Sequence, residues 1–185
     1  MKNILIITGG PGSGKGTIAE LLMRSYQFNY IETGALFRSL PDNSDIAKIM
    51  AYGGLIPDEK IFPVINEKII SNQDILFDGF PRNIVQAQWL INKFQKNINT
   101  VYLEISENIM IERIHKRLLN GSNRTDDLKN NIIIKRLNAF AKETLPAIKF
   151  LSTAPDINFL KVDGTKTPDE IAKIIKDYFL FFNQV

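Results

Sequence analysis

The sequence predicts an α/β fold in three layers, with a central parallel sheet of five strands between two layers of helices. Three observations predict it. Short apolar runs alternate along the chain with longer segments of helical periodicity. Runs such as Ile75-Leu76-Phe77 and Val101-Tyr102-Leu103 lack a polar face, as strands covered on both sides do. The glycine-rich stretch Gly9–Thr17 stands between an apolar run, Ile4-Leu5-Ile6-Ile7, and a helical pattern beginning Ile18-Ala19-Glu20-Leu21-Leu22.

In chain order, strands are expected at Asn3–Thr8, around Tyr30–Ile31, and at Asp74–Phe77, Thr100–Ile105 and Ile157–Val162. Helices are expected at Gly14–Ser25, Pro57–Ile70, Asn83–Phe94, Glu107–Leu119, Leu128–Leu151 and Thr167–Phe182. In the last helix Ile171, Ile174, Ile175 and Tyr178 recur at helical spacing, and Pro168 suits its first turn. Its aromatic end, Tyr178–Phe182, is expected to dock on the core. Neither an internal repeat nor a low-complexity linker is present.

The 185 residues suit one domain with a core large enough to bury apolar surface. Small inserted lobes are compatible with this length. With no cysteine, disulfides and thiolate metal sites are excluded, which fits a reducing compartment. No apolar run approaches a membrane span, and the first residues lack the apolar length of a signal peptide. A cytoplasmic protein without membrane contact is therefore expected, and a monomer by default, since no extra interface segment stands out. The net charge of +3 is mild, and its basic residues cluster only around Arg113–Arg124, too short a stripe for a nucleic-acid surface.

The stretch Gly9-Gly10-Pro11-Gly12-Ser13-Gly14-Lys15-Gly16-Thr17 has the spacing and the strand-to-helix context of a P-loop. Its glycines let backbone N–H groups turn toward a phosphate, and the following helix start adds a favourable dipole. Lys15 can reach the outer phosphates, and Thr17 can hold Mg²⁺. Asp78 follows a buried strand, where a carboxylate beside a P-loop can hold Mg²⁺ through water. The turn Gly79-Phe80-Pro81 aims Arg82 back at the same cleft, where its guanidinium can clamp a phosphate. His115 lies among basic residues on a helix, and we read it as structural or solvated.

The P-loop, Thr33-Gly34-Ala35-Leu36-Phe37-Arg38 and Asp78-Gly79-Phe80-Pro81-Arg82 together resemble the signature stretches of adenylate kinases, in the same order. The likeness continues through Gly53-Gly54-Leu55-Ile56-Pro57, Arg113 and Arg117, Arg124-Thr125-Asp126-Asp127, Arg136-Leu137 and Val162-Asp163-Gly164-Thr165, so it spans nearly the whole chain. It implies transfer of a phosphoryl group from MgATP to AMP, giving two ADP. It also implies a core at 1–31, 58–116 and 128–185, a monophosphate lobe at about 32–57 and a short lid without zinc at about 117–127.

The resemblance implies roles for single residues. Gly10, Pro11, Gly12, Ser13, Gly14, Lys15, Gly16 and Thr17 would hold ATP phosphates. Arg113, Gly164 and Lys166 would lie beside the ATP base, and Arg117 near the transferring phosphate. Thr33, Gly34, Arg38, Ile56, Gly79, Arg82 and Gln86 would bind AMP, with Arg38 and Arg82 on its phosphate and Thr33 and Gln86 near its base. Arg124 and Arg136 would close over the phosphates. Asp126 and Asp127 would help hold the lid arginines, or form a solvated cluster at a helix start.

Two anionic nucleotides must be brought together, so converging cations are what the chemistry needs. The acceptor phosphate is already ionised near neutrality, with a second pKa of about 6, so no general base is required. A Gln86 carboxamide can both donate to and accept from an adenine edge. Pyrimidine-specific relatives tend to carry Asn at the position of Gln86 and Ala at that of Thr33. The sequence also departs from the family pattern. Ala35 stands where Asp is usual, and Ile18 replaces a frequent Gln. The Arg38–Gly53 segment is short, and the Arg124–Arg136 spacing is one residue long. A related kinase acting on CMP, UMP or another monophosphate is the alternative. A non-catalytic nucleotide-binding P-loop protein is a second.

Overall fold

The computed structural model describes residues 2–38, 44, 46, 48–49, 52–120 and 130–179. Strands β1 (Ile4–Gly9), β2 (Asn29–Glu32), β3 (Ile75–Asp78), β4 (Ile98–Glu104) and β5 (Ile157–Asp163) form one sheet in the order β2-β3-β1-β4-β5. Every pairing is parallel. Each lies within two residues of its sequence expectation. The register sets Ile7 beside Asp78 and Glu32 beside Asp78, so β1, β2 and β3 end together. The chain passes from β3 across β1 to β4, and the glycine loop leaves β1 beside that reversal. Open α/β sheets bind ligands at such a point.

Side chains of β1 alternate between two cores, as a strand's period of two requires. Leu5 and Ile7 face α1 (Lys15–Met23) and α8 (Pro168–Tyr178), which supply Ile18, Leu22, Ile171 and Ile175. Ile4 and Ile6 face the other layer, where α3 (Asp58–Lys68) and α4 (Ile84–Phe94) supply Ile65 and Leu90. Ile4, Leu5, Ile6 and Ile7 have no exposed surface. Each such burial contributes about 1.5–3 kcal/mol, which makes β1 a rigid mount for the loop that follows it. A third cluster joins α5 (Glu107–Leu119) to α6 (Asn130–Ala139) through Met110, Ile114, Ile133 and Leu137.

Two elements differ from expectation. The short helix α2 (Thr33–Arg38) is six residues long, too short to show helical periodicity in sequence. The helix expected at 128–151 is α6, then a π-helical turn (Phe140–Thr144), then α7 (Leu145–Thr153). Pro146 has no N–H for the Lys142 carbonyl, and its ring would crowd that oxygen. The Leu145 N–H bonds instead to the Phe140 carbonyl, five residues back, and the turn widens. Helix α8 ends at Tyr178; Phe179 packs into the first core, and residues 180–182 lie outside the described residues.

Candidate nucleotide-binding site

A cleft of about 350 Å³ opens at the shared ends of β1, β2 and β3. One wall is the loop from Pro11 to Thr17, which contributes Gly12, Ser13, Gly14, Lys15 and Gly16 between them. Gly12 has φ 76°, and a Cβ there would meet the Met110 carbonyl oxygen at 2.8 Å, so only glycine fits. The Lys15 ammonium donates to the carbonyls of Gly9 and Gly10, both at 2.9 Å, and to Ser13 Oγ at 3.3 Å. That leash keeps the charge at the mouth of the loop. Gly10 itself backs onto Met110 rather than lining the cleft.

Asp78 is buried at the end of β3, with its carboxylate turned toward Gly16. Burial pushes its pKa up, opposed by the Lys15 charge; Glu32 pushes the same way as burial, and Tyr30 and Arg82 act against it. The Tyr30 hydroxyl lies between two carboxylates, 3.3 Å from Asp78 Oδ2 and 3.4 Å from Glu32 Oε2. Burial and both neighbouring anions push the Tyr30 pKa up, so the phenol keeps its proton and donates. Thr17 also lines the cleft. A desolvated carboxylate and an exposed hydroxyl on adjoining walls are oxygen donors of the kind Mg²⁺ takes, and the buried charge gains from a cation. The donor set therefore fits that ion.

The facing wall comes from α2, Ile56 and the β3–α4 loop, with Thr33, Gly34, Arg38, Gly79, Arg82 and Gln86 in the lining. Thr33 Oγ1 donates to the Gly79 carbonyl at 2.9 Å. Arg38 lies against Gly34 and pairs with Glu32 at 2.7 Å. The carboxylate beside Arg38 thus comes from position 32, while Ala35 is exposed on α2. Gly79 has φ 76°, and a Cβ there would lie 3.0 Å from an Arg82 guanidinium nitrogen. Arg82 Nε donates to the Gly79 carbonyl at 2.7 Å, which folds the guanidinium back toward the cleft. Phe80 and Pro81 are joined by a cis peptide bond.

Gln86 is fully buried, and both ends of its carboxamide are engaged. Its oxygen accepts the Arg82 N–H at 2.7 Å, and its nitrogen donates to Asp58 Oδ1 at 2.7 Å. One hydrogen on that nitrogen remains for a ligand. Arg117 of α5 and Arg136 of α6 complete the lining. The second ATP-side group stands apart. Gly164 and Lys166 follow the end of β5, where the Gly164 N–H bonds to the Glu104 carbonyl, and Arg113, on α5, packs beside Gly12. Asp163 is held below the usual carboxylate range by the Thr165 hydroxyl and N–H, with help from Lys166 and Arg113. Arg124, Asp126 and Asp127 lie outside the described residues, and His115 is exposed on α5.

Sequence reasoning missed Glu32, Tyr30, Asp58 and Thr144. The first two sit among motif residues with no spacing signal of their own. Asp58 had the signal of an acidic residue at a helix start, which reads as a cap.

A parallel sheet, a glycine loop at its switch point and cations converging on a buried carboxylate define a nucleotide-phosphate-handling protein of the P-loop class. Comparison with known proteins narrows this. The family model described as Adenylate kinase matches residues 7–155. An adenylate kinase of Porphyromonas gingivalis is 38% identical over 185 residues, covering 93% of this chain and 92% of the relative. One from Borreliella burgdorferi is 32% identical over 204 residues, covering 92% and 95%. One from Borrelia garinii subsp. bavariensis is 31% identical, with the same coverage. The chain belongs to the adenylate kinase family.

Proposed function

We propose the following division of labour in the cleft. The reaction is reversible transfer of the γ-phosphoryl group of ATP to AMP, with two ADP as products. The loop Pro11–Thr17, with Lys15, binds the ATP phosphates, and Arg113, Gly164 and Lys166 flank the ATP base. Arg38 and Arg82 bind the AMP phosphate, while Thr33, Gly34, Ile56, Gly79 and Gln86 shape the rest of the AMP site. Arg117, Arg124 and Arg136 neutralise the phosphoryl group in flight. Thr17 and Asp78 hold Mg²⁺, Asp78 through water; the ion supplies charge neutralisation on the ATP phosphates when bound.

The observation that carries this reading is the convergence of Lys15, Arg38, Arg82, Arg117 and Arg136 on one cleft with the buried Asp78. Two phosphate chains within a few ångströms repel strongly, and fixed cations in a partly dried site offset that without reorganising. The residues near 32–57 act as a monophosphate lobe and those near 117–127 as a short lid, and their closure keeps water from the phosphoryl group. In this reading the protein acts as a monomer on small nucleotides, in the cytoplasm. Zinc has no part in this scheme.

The test is diphosphate formation from ATP and Mg²⁺ with AMP, CMP, UMP, GMP and dTMP in parallel. Preference for AMP is expected. Preference for another acceptor would keep the phosphate machinery and move the base selectivity. Binding of ATP without transfer to any acceptor would overturn the reading.

A further inference from the structure

Asp58 opens α3, directly after the Gly53–Pro57 stretch, and it lies far in sequence from the β3–α4 loop. Yet its carboxylate takes donors from two side chains of that region. Asn83 Nδ2 lies 2.9 Å from Oδ1 and 3.2 Å from Oδ2, and Gln86 Nε2 lies 2.7 Å from Oδ1. A carboxylate can only accept, so each amide must turn its nitrogen to Asp58. The two amide oxygens then have fixed directions. Asn83 Oδ1 accepts the Gln86 N–H at 2.8 Å and caps α4. Gln86 Oε1 accepts the Arg82 N–H at 2.7 Å.

Arg82 is therefore gripped at three points. Gln86 takes its N–H, Gly79 takes its Nε at 2.7 Å, and Thr144 of the π-helical turn donates to its carbonyl at 3.0 Å. Only the first grip depends on an amide that has two possible orientations. With its nitrogen and oxygen exchanged, Gln86 would set a donor against the Arg82 N–H.

We propose that Asp58 is a positioning residue for the acceptor phosphate. By fixing the Gln86 carboxamide it holds the Arg82 backbone, and so its guanidinium, at the acceptor side of the cleft. The inference rests on Arg82 as a ligand of the acceptor phosphate. Asp58→Asn keeps an acceptor on one side only and sets an NH2 donor on the other, against an amide nitrogen, so the orientations of the Asn83 and Gln86 amides are no longer forced. The KM for AMP is expected to rise about tenfold, the effect of one hydrogen bond to a charged site. The KM for ATP stays within about twofold, and the thermal midpoint reports that the variant is folded. The effect travels through the phosphate clamp, so the KM values for GMP and CMP rise by the same factor as that for AMP.

Gln86→Leu, an apolar replacement of similar size, removes the acceptor for the Arg82 N–H and gives a second route should Asp58→Asn fold poorly. It raises the KM for AMP at least as much, because Gln86's own contact with the acceptor nucleotide is lost as well, and Asp58→Asn then adds nothing to it. In an Arg82→Ala background Asp58→Asn is likewise silent. If Arg82→Ala leaves the acceptor KM unchanged, the phosphate-ligand reading falls and the inference with it. If Arg82→Ala raises that KM while either a folded Asp58→Asn or Gln86→Leu leaves it alone, the inference alone falls. It also falls if Asp58→Asn keeps its full effect without Arg82, or moves ATP and AMP together.

Discussion

The two walls of the cleft hold their cations by different means. On the loop wall, Lys15 is leashed by carbonyls of Gly9 and Gly10, residues five and six positions away. On the facing wall, Arg82 is placed by Gln86 and Thr144, the latter 62 positions away, and Gln86 is itself oriented by Asp58. Arg38 has a carboxylate partner of its own, Glu32. The first wall is built from backbone, which any sequence with glycines at the right spacing can supply. The second is built from side chains contributed by α2, α3, α4 and the π-helical turn, and each of them can be changed singly. Donor binding should therefore be rigid, and acceptor binding tunable.

The largest expected effect lies on the loop wall. Lys15→Met removes the one ammonium of the loop, and transfer should fall by at least about 10²–10³-fold while the thermal midpoint moves little. Near-normal turnover would remove that wall from the mechanism. On the facing wall, Arg82→Ala should raise the KM for AMP by roughly 10–100-fold and that for ATP far less. Initial rates at varied AMP and varied ATP separate the two, and the opposite order would exchange the walls.

Asp78 stands between them and sharpens the contrast through pH. Its pKa is raised in the folded protein, chiefly by burial, with Lys15 pulling the other way. The folded state then holds the proton to higher pH than the unfolded state does. Stability falls as pH rises between those two pKa values, and the loss persists above them. Asp78→Asn should raise the thermal midpoint at neutral pH while Mg²⁺-dependent transfer drops about tenfold or more. A lowered midpoint would show that the neighbouring cations outweigh burial. The smallest effect is expected at Glu32, a partly exposed partner of Arg38. Glu32→Gln removes a competitor for the acceptor phosphate and should lower the KM for AMP about two- to fivefold. A raised KM would instead make Glu32 a support that holds Arg38 in place.

The sequence by itself determined whatever is local. The β1–loop–α1 unit was legible because its glycines, Lys15 and Thr17 act through neighbours within one turn of chain. The runs Ile75–Phe77 and Val101–Leu103 were legible because strands covered on both faces are apolar there, whereas the edge strands β2 and β5 carry polar residues and partly exposed faces. Asp78 and Arg82 were readable from a strand end and a tight turn. Tertiary structure alone decided the pairings between distant segments. Nothing in sequence joins Asp58 to Gln86, Thr144 to the Arg82 carbonyl, or Tyr30 to Asp78. Pro146 marked a break in a long helix, but only packing turned that break into a π-helical turn with Thr144 facing Arg82. Hydrogen bonds between remote side chains carry no period and no fixed spacing. They exist once the sheet has brought their elements together, and on the acceptor wall they set the position of the charge.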